Sequence, residues 1–254
     1  MVLSVNIGRA QVAECSSIGV TGIDKRPVTG PIEVRAPGAK RDGLGSGLVG
    51  DAVCDRRHHG GDDQAVYVYA REDLDTWATA LGRPLDNGCF GENLTTAQLD
   101  VTEALIGERW RIGDALLLEV SSPRIPCRTF AGWLAEHGWI RRFTRAARPG
   151  AYLRVIAPGS VRQGDGIDVA HRAGSARGRS IRRRRSACGR SPSPGCLITS
   201  PSARPGTQTR RHPPSHRWAG TPTRSPRPRC SAASLPVRRR PRRSGPHRCR
   251  RSRA

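Results

Sequence analysis

Short apolar runs recur along the first two thirds of the chain, bounded by glycine, proline and aspartate and separated by polar residues. Runs of this length, several of them alternating apolar with polar positions, are typical of β-strands. They predict strands over residues 3–7, 32–35, 65–69, 115–121, 151–156 and 167–169.

Helical periodicity marks two other segments, residues 71–81 and 128–137. Apolar side chains recur there at the i, i+3, i+4 and i+7 spacing of one helix face. These side chains are Leu74, Trp77, Ala78 and Leu81 in the first segment and Phe130, Trp133 and Leu134 in the second. We expect Trp77, Trp133 and Trp139 to be core residues. Many short strands, glycine-rich turns and few helices predict a mainly β fold, a closed or nearly closed β-barrel with a few short helices.

The charge divides the chain into two parts. All 21 Asp and Glu lie at or before Asp168, together with 21 of the 44 Lys and Arg, so residues 1–172 have no net charge. Residues 173–254 hold 23 Arg, no Lys and no acid, which accounts for the whole net charge of +23. We therefore predict one β-barrel domain over residues 1–172 and a separate tail over residues 173–254.

The tail contains 23 Arg, 13 Ser and 12 Pro and few large apolar side chains. Such a composition predicts disorder, because it buries too little surface to offset the entropy of ordering. Three interpretations compete: a basic arm that binds nucleic acid non-specifically through phosphates, an inert solvated tail, and an out-of-frame translation. The third is favoured, because GC-rich DNA read out of phase yields Arg, Pro, Ser, Ala and Gly, and a selected basic arm normally includes lysine.

The sequence predicts a cytoplasmic protein with no membrane contact. No apolar run approaches the roughly 20 residues needed to span a bilayer. The first residues lack the basic start and long apolar stretch of a signal peptide. The cysteines of the domain, Cys15, Cys54, Cys89 and Cys127, are widely spaced and are expected to be free thiols.

Cys127 has the most informative surroundings. Pro123 and Pro126 restrict the backbone before it, and Arg124 and Arg128 place positive charge on both sides. Nearby guanidinium charge favours the thiolate, which attacks electrophiles or ligates soft metals. The alternative is a buried cysteine that only packs.

Two further strings contain residue types that bind ligands. His59 is followed by Gly60 and Gly61, which permit a tight turn and close approach to a ligand, and by the carboxylate of Asp63. An ordinary turn between strands would have the same composition. Residues 90–96, FGENLTT, read alone as turn chemistry.

Five strings match one family in order: GIDKRPV at residues 22–28, GD at 50–51 followed by HGGDDQAVY at 59–67, FGENL at 90–94, IGD at 112–114 and PRIPC at 123–127. With them the chain resembles the MOSC family, the molybdenum cofactor sulfurase C-terminal domain. It is most similar to the small stand-alone bacterial members linked to 6-hydroxylaminopurine resistance. The resemblance covers about residues 2–172.

The resemblance implies a β-barrel that binds the molybdenum cofactor, a molybdopterin, or that carries sulfur on its cysteine. In related reductases this cysteine ligates molybdenum, a role that passes to Cys127. Among the other positions, His59 is expected to donate a proton or to support a ligand. The expected cofactor-binding residues are Lys25, Arg26 and Arg124, as cations for the phosphate and pterin, with Gly60, Gly61, Asp63 and Asn93.

Two departures from the family limit this transfer. Gln64 stands where relatives often have a basic residue, so one cation beside the cofactor is expected to be missing. The closest type of relative continues past the barrel into a small helical domain, whereas this chain continues into the arginine-rich tail. This difference agrees with a lost reading frame.

Three functions remain open from the sequence. The first is a molybdenum-dependent oxidoreductase that reduces small N-hydroxylated bases or amines with electrons from a separate donor protein. The second is a sulfur carrier, in which Cys127 accepts persulfide from a cysteine desulfurase and delivers it to a metal centre. The third, non-specific binding of nucleic acid, depends on the tail alone.

Overall fold

The computed structural model describes residues 1–171, and the predicted disorder of the tail lies outside the described residues. The helices are α1 (Arg71–Leu81), α2 (Arg128–Leu134) and α3 (Trp139–Ala146). The strands are β1 (Val2–Gly8), β2 (Gln11–Val12), β3 (Val20–Thr21), β4 (Lys25–Val28), β5 (Ile32–Val34), β6 (Val66–Ala70), β7 (Leu94–Thr96), β8 (Arg109–Ile112), β9 (Leu116–Pro123), β10 (Ala151–Ala157), β11 (Gly159–Val161) and β12 (Ile167–His171).

The prediction of a mainly β chain with a few short helices is confirmed, but the predicted barrel closure is wrong. One sheet of eight strands has the order β12-β8-β9-β10-β6-β7-β1-β4, and within residues 1–171 its two edge strands do not pair. Pro27 lies in the edge strand β4 and has no N–H to donate to a further strand. Two small sheets, β2 with β3 and β5 with β11, share no strand with it.

The predicted elements are recovered with small changes at their ends. All six predicted strands are present, and α1 has the predicted bounds. The second predicted helix ends three residues early, because Ala135 adopts a left-handed conformation with φ 55°. Gly138, also left-handed, then begins the unpredicted helix α3. No helix among residues 1–171 has the length and apolar character needed to cross a membrane.

Strand β6 separates two hydrophobic cores. Its valines pack into an aliphatic core on one face, and Tyr67 and Tyr69 join an aromatic core formed with the helices on the other. Trp77 and Trp139 are buried in the aromatic core as expected, whereas Trp133 is only partly buried at its margin. Because both faces of β6 are packed against a core, this strand is a rigid part of the cavity wall that contains Tyr67.

Candidate functional site

A cavity opens where the start of β6, the end of β9 and the loops around residues 22–25, 51–60 and 91–93 meet. Six of the nine residues predicted for the site line it, together with residues that the prediction did not include. The six are Lys25, His59, Gly60, Asn93, Arg124 and Cys127. Residues far apart in the sequence therefore line one cavity, and their roles toward a ligand stay predictions.

Cys127 lies between the end of β9 and the first turn of α2. Its Sγ accepts a hydrogen bond from the backbone N–H of Phe130 at 3.5 Å, so the residue caps the helix with its own side chain. The thiol is partly buried and unpaired with any other cysteine of residues 1–171. This arrangement holds the sulfur in a defined direction at the wall of the cavity.

Arg124 is a buried cation held by aromatic rings. Only 5 % of its surface is exposed, and its guanidinium carbon lies 4.8 Å from the ring centre of Tyr67 and 4.4 Å from that of Phe130. Its Nε has no hydrogen-bond partner among the described residues. A buried donor of this kind is costly unless a ligand completes it.

Lys25 and Asn93 belong to one network centred on Asp51. The Lys25 ammonium contacts both carboxylate oxygens of Asp51, whose side chain is fully buried. Asn93 donates its amide N–H to Asp51 at 2.9 Å and accepts the backbone N–H of Tyr67 at 3.1 Å. Gly8 N–H donates to Asp51 at 2.8 Å. The protein itself therefore neutralises Lys25 and occupies the Asn93 amide, and their roles toward a ligand stay predictions.

His59 is neutral at physiological pH. Burial, and next the positive charge of Arg124, lower its pKa from 6.5 to about 4. A neutral imidazole donates one N–H and accepts at its other nitrogen. As a proton donor to a ligand, His59 would therefore act through its N–H rather than as an imidazolium.

Three predicted residues lie outside the cavity lining. Arg26 is 61 % exposed and pairs with Asp24 at 2.7 Å and Asp86 at 3.6 Å. Asp63 is exposed and pairs with Arg154 at 2.9 Å. Gly61 is next to the lining residue Gly60, and its backbone packs closely on the Lys40 backbone.

Several lining residues were not predicted, among them Asp51, Tyr67 and Tyr152. Asp51 and Tyr67 lie within the matched strings, and nothing in those strings alone indicated their contacts. Tyr152 is the cross-strand neighbour of Tyr67, and their ring centres are 4.9 Å apart. The pairing of β10 with β6 and with β9 brings Tyr152 to the site, and neither pairing is visible in the local sequence.

The fold and the cavity describe a mainly β protein in which a partly buried thiol and a buried arginine line one cavity beside an eight-stranded sheet. The profile of the MOSC domain family matches residues 55–168, and the chain belongs to that family. It is 34 % identical over 172 residues to the uncharacterized protein YflK of Bacillus subtilis, covering 67 % of this chain and 73 % of YflK.

Two other relatives match over a smaller share of their own length. A protein of Gibberella moniliformis named Reductase is 30 % identical over 175 residues, which is 68 % of this chain and 29 % of that protein. Protein YiiM of Escherichia coli is 33 % identical over 118 residues, which is 45 % of this chain and 52 % of YiiM.

Solved structures agree with the fold. The crystal structure of YiiM from Geobacillus stearothermophilus superposes with a TM-score of 0.56 at 27 % identity, covering 73 % of this chain and 81 % of that chain. YiiM from Escherichia coli superposes with a TM-score of 0.53 at 23 % identity and 76 % and 80 % coverage, which supports the fold alone.

Proposed function

We propose that this protein binds the molybdenum cofactor, with the Cys127 thiolate as the protein ligand to the metal, and reduces N-hydroxylated bases or amines. The observation that carries the proposal is that one cavity of a MOSC family chain is lined both by the Cys127 thiol, whose Sγ is fixed by the Phe130 N–H, and by Arg124, whose buried Nε has no hydrogen-bond partner among residues 1–171.

The residues present fit an anionic, sulfur-rich metal group. A thiolate is the side chain preferred by a metal that is already held through sulfur. The free Nε donor of Arg124 suits an anion, and no carboxylate of residues 1–171 pairs with this guanidinium. Arg124 is therefore our choice for the anionic part of the cofactor and Cys127 for the metal.

When bound, the cofactor supplies the redox chemistry that reduces an N–O bond. The residues of the chain hold the substrate beside it and manage protons. Burial raises the pKa of Tyr152, so its hydroxyl stays protonated, and it has no hydrogen-bond partner within residues 1–171. The Tyr152 O–H and the N–H of neutral His59 are thus two donors that face the cavity.

Other groups of the cavity are already engaged. The Tyr67 hydroxyl donates to the Pro149 carbonyl at 2.8 Å, and Lys25 is bound to Asp51. Their contribution is to keep the wall rigid, which leaves Arg124 as the buried cation of the wall that no carboxylate of residues 1–171 pairs with. The name of the Gibberella relative supports a reduction, and the electrons would come from a separate donor protein.

The test is the metal and pterin content of the purified full chain and of two serine variants. We expect one molybdenum per chain in the wild type, loss of it in Cys127→Ser, and retention in Cys54→Ser, because Cys54 lines the same cavity. Burial raises the pKa of Cys54, which keeps that thiol protonated and a poor ligand. Full metal content in Cys127→Ser would contradict the assignment. A labile sulfane sulfur on Cys127 without metal would instead favour the sulfur carrier.

A further inference from the structure

A second hollow lies directly beside the cavity. It is lined by three arginines, one isoleucine and two residues, Cys54 and Asp55, that also line the cavity. We call it the arginine groove, and its lining is Ile18, Arg41, Cys54, Asp55, Arg56 and Arg57. Because the two hollows share Cys54 and Asp55, they adjoin each other.

The arginine groove has surplus positive charge. The side chains of Arg41 and Arg57 are exposed and have no partner among the described residues. Arg56 donates to the Gly43 carbonyl at 2.9 Å, which holds its guanidinium in place but leaves its charge uncompensated. The carboxylate of Asp55 is hydrogen-bonded to the His58 ring at 3.0 Å and accepts the Arg57 backbone N–H at 3.2 Å.

Guanidinium groups suit one ligand chemistry in particular. Their planar forks bind phosphate oxygens in a bidentate way, and several arginines lining one hollow offer a phosphate more donors than a single surface charge. The aliphatic side chain of Ile18, 45 % exposed, provides an apolar contact for the part of a ligand next to its phosphate.

We infer that the arginine groove binds the phosphate of a phosphate ester whose ring occupies the neighbouring cavity. The ring's identity rests on the proposed function, and the phosphate then has two sources: an N-hydroxylated base presented as its nucleotide, or the pterin cofactor itself. Both sources use the same contacts with Arg41, Arg56 and Arg57.

The test measures binding rather than turnover. Adenosine 5′-monophosphate and adenosine are titrated calorimetrically, at fixed ionic strength, into the wild-type full chain and into Arg41→Gln, Arg57→Gln and the double variant. Neither side chain has a partner within residues 1–171, so these variants are expected to fold. Arg111→Gln is the matched control, because Arg111 is exposed on β8, lies outside the groove and leaves the arginine-rich tail in place.

The expected result is a loss of about 3- to 10-fold in nucleotide affinity for each single groove variant, allowing for solvent exposure of the arginines. Adenosine affinity stays unchanged. If molybdenum content is also unchanged, the phosphate belongs to a nucleotide substrate. If instead molybdenum retention falls and nucleotide affinity does not, the phosphate belongs to the cofactor.

Two results would overturn the inference: nucleotide affinity and metal retention both unchanged in the double variant, or an equal loss in Arg111→Gln. The titrations need no bound metal. Suppose that the wild-type chain contains no molybdenum and that the groove variants still lose nucleotide binding. This result would contradict the proposed function and support phosphate binding by the arginine groove.

Discussion

Lys25 and Arg124, the two buried cations of the cavity, have opposite surroundings. The charge of Lys25 is matched by the buried carboxylate of Asp51, whereas Arg124 lies between aromatic rings with no carboxylate partner in residues 1–171. A buried pair contributes rigidity at little net charge, while a buried unpaired cation attracts an anion. The affinity of the cavity for an anionic ligand is therefore expected to depend on Arg124 more than on Lys25.

The buried pair gives a prediction for stability. Asp51→Asn leaves the Lys25 ammonium buried without a counter-charge, and we expect the free energy of unfolding to fall by about 3 to 5 kcal/mol in urea titrations. Asp63→Asn is the matched control, because it breaks the exposed pair with Arg154 and should cost about 1 kcal/mol or less. Equal losses in the two variants would show that Asp51 does not hold the network together.

The low pKa of His59 predicts how stability depends on pH. The folded pKa is about 4 and the ordinary value is 6.5, so as the pH falls the unfolded chain takes up this proton first. The stabilisation from neutral His59 is complete above pH 6.5 and is lost as the pH falls to about 4, by about 3 kcal/mol in total.

Comparing variants isolates this contribution, because burial also raises the pKa of the Asp73 and Glu92 carboxyls, which add their own pH dependence. Unfolding free energies measured between pH 7 and pH 4 should fall less steeply in His59→Gln than in the wild type. His58→Gln removes an exposed imidazole from the same loop and serves as the control. An unchanged pH profile in His59→Gln would mean that the folded protein accepts the charged imidazole.

At the scale of elements, the loop that carries His59 depends on two glycines. Gly60 and Gly61 have φ of 81° and 79°, and an added Cβ would lie 2.5 Å from the Gly45 carbonyl oxygen and 2.7 Å from the Lys40 Cα, respectively. The backbone of this loop therefore packs directly on the backbone of Lys40 and Gly45. These two glycines therefore have a structural role, and their contact with a ligand stays a prediction.

Alanine substitution separates conformational strain from crowding. Gly60→Ala and Gly61→Ala should each lower the free energy of unfolding by about 3 kcal/mol or more, because both left-handed strain and overpacking apply. Gly19→Ala is the control: Gly19 has φ 75° with open space around it, so it should cost only about 1 to 2 kcal/mol. Similar losses at Gly19 and Gly60 would show that the loop relaxes to accommodate the added methyl group.

The sequence predicted elements whose signal is local and missed those set by distant contacts. The stripe containing Leu74 and Trp77 gave α1 with correct bounds, since one face of that helix is buried. The end of α2 was missed because Ala135 turns left-handed without any glycine to mark it. The Lys25–Asp51 contact spans 26 residues, and no local pattern records such pairing. The barrel was overpredicted for the same reason, because strand count does not reveal whether the edge strands meet.

At the scale of the whole molecule, charge is separated along the chain. Residues 1–172 carry no net charge, and residues 173–254 carry all +23. A chain of this kind should attract polyanions mainly through residues 173–254. Association with nucleic acid, if it occurs in purified samples, then says nothing about the chemistry of the cavity.

Removing residues 173–254 tests this separation. The full chain should bind DNA or RNA without sequence preference, and its affinity should fall by about a thousandfold or more between roughly 50 mM and 200 mM salt, because neutralised phosphates release counterions. The chain truncated after Arg172 should lose this binding and keep its unfolding transition and its molybdenum content.

Replacing the four arginines at positions 182–185 by glutamine should reduce the salt slope by about 0.9 for each arginine that contacts a phosphate, giving an intermediate value. Nucleic acid binding with the same slope after truncation would place the binding surface in residues 1–172, and loss of cooperative unfolding would show that residues 1–172 need the tail to fold.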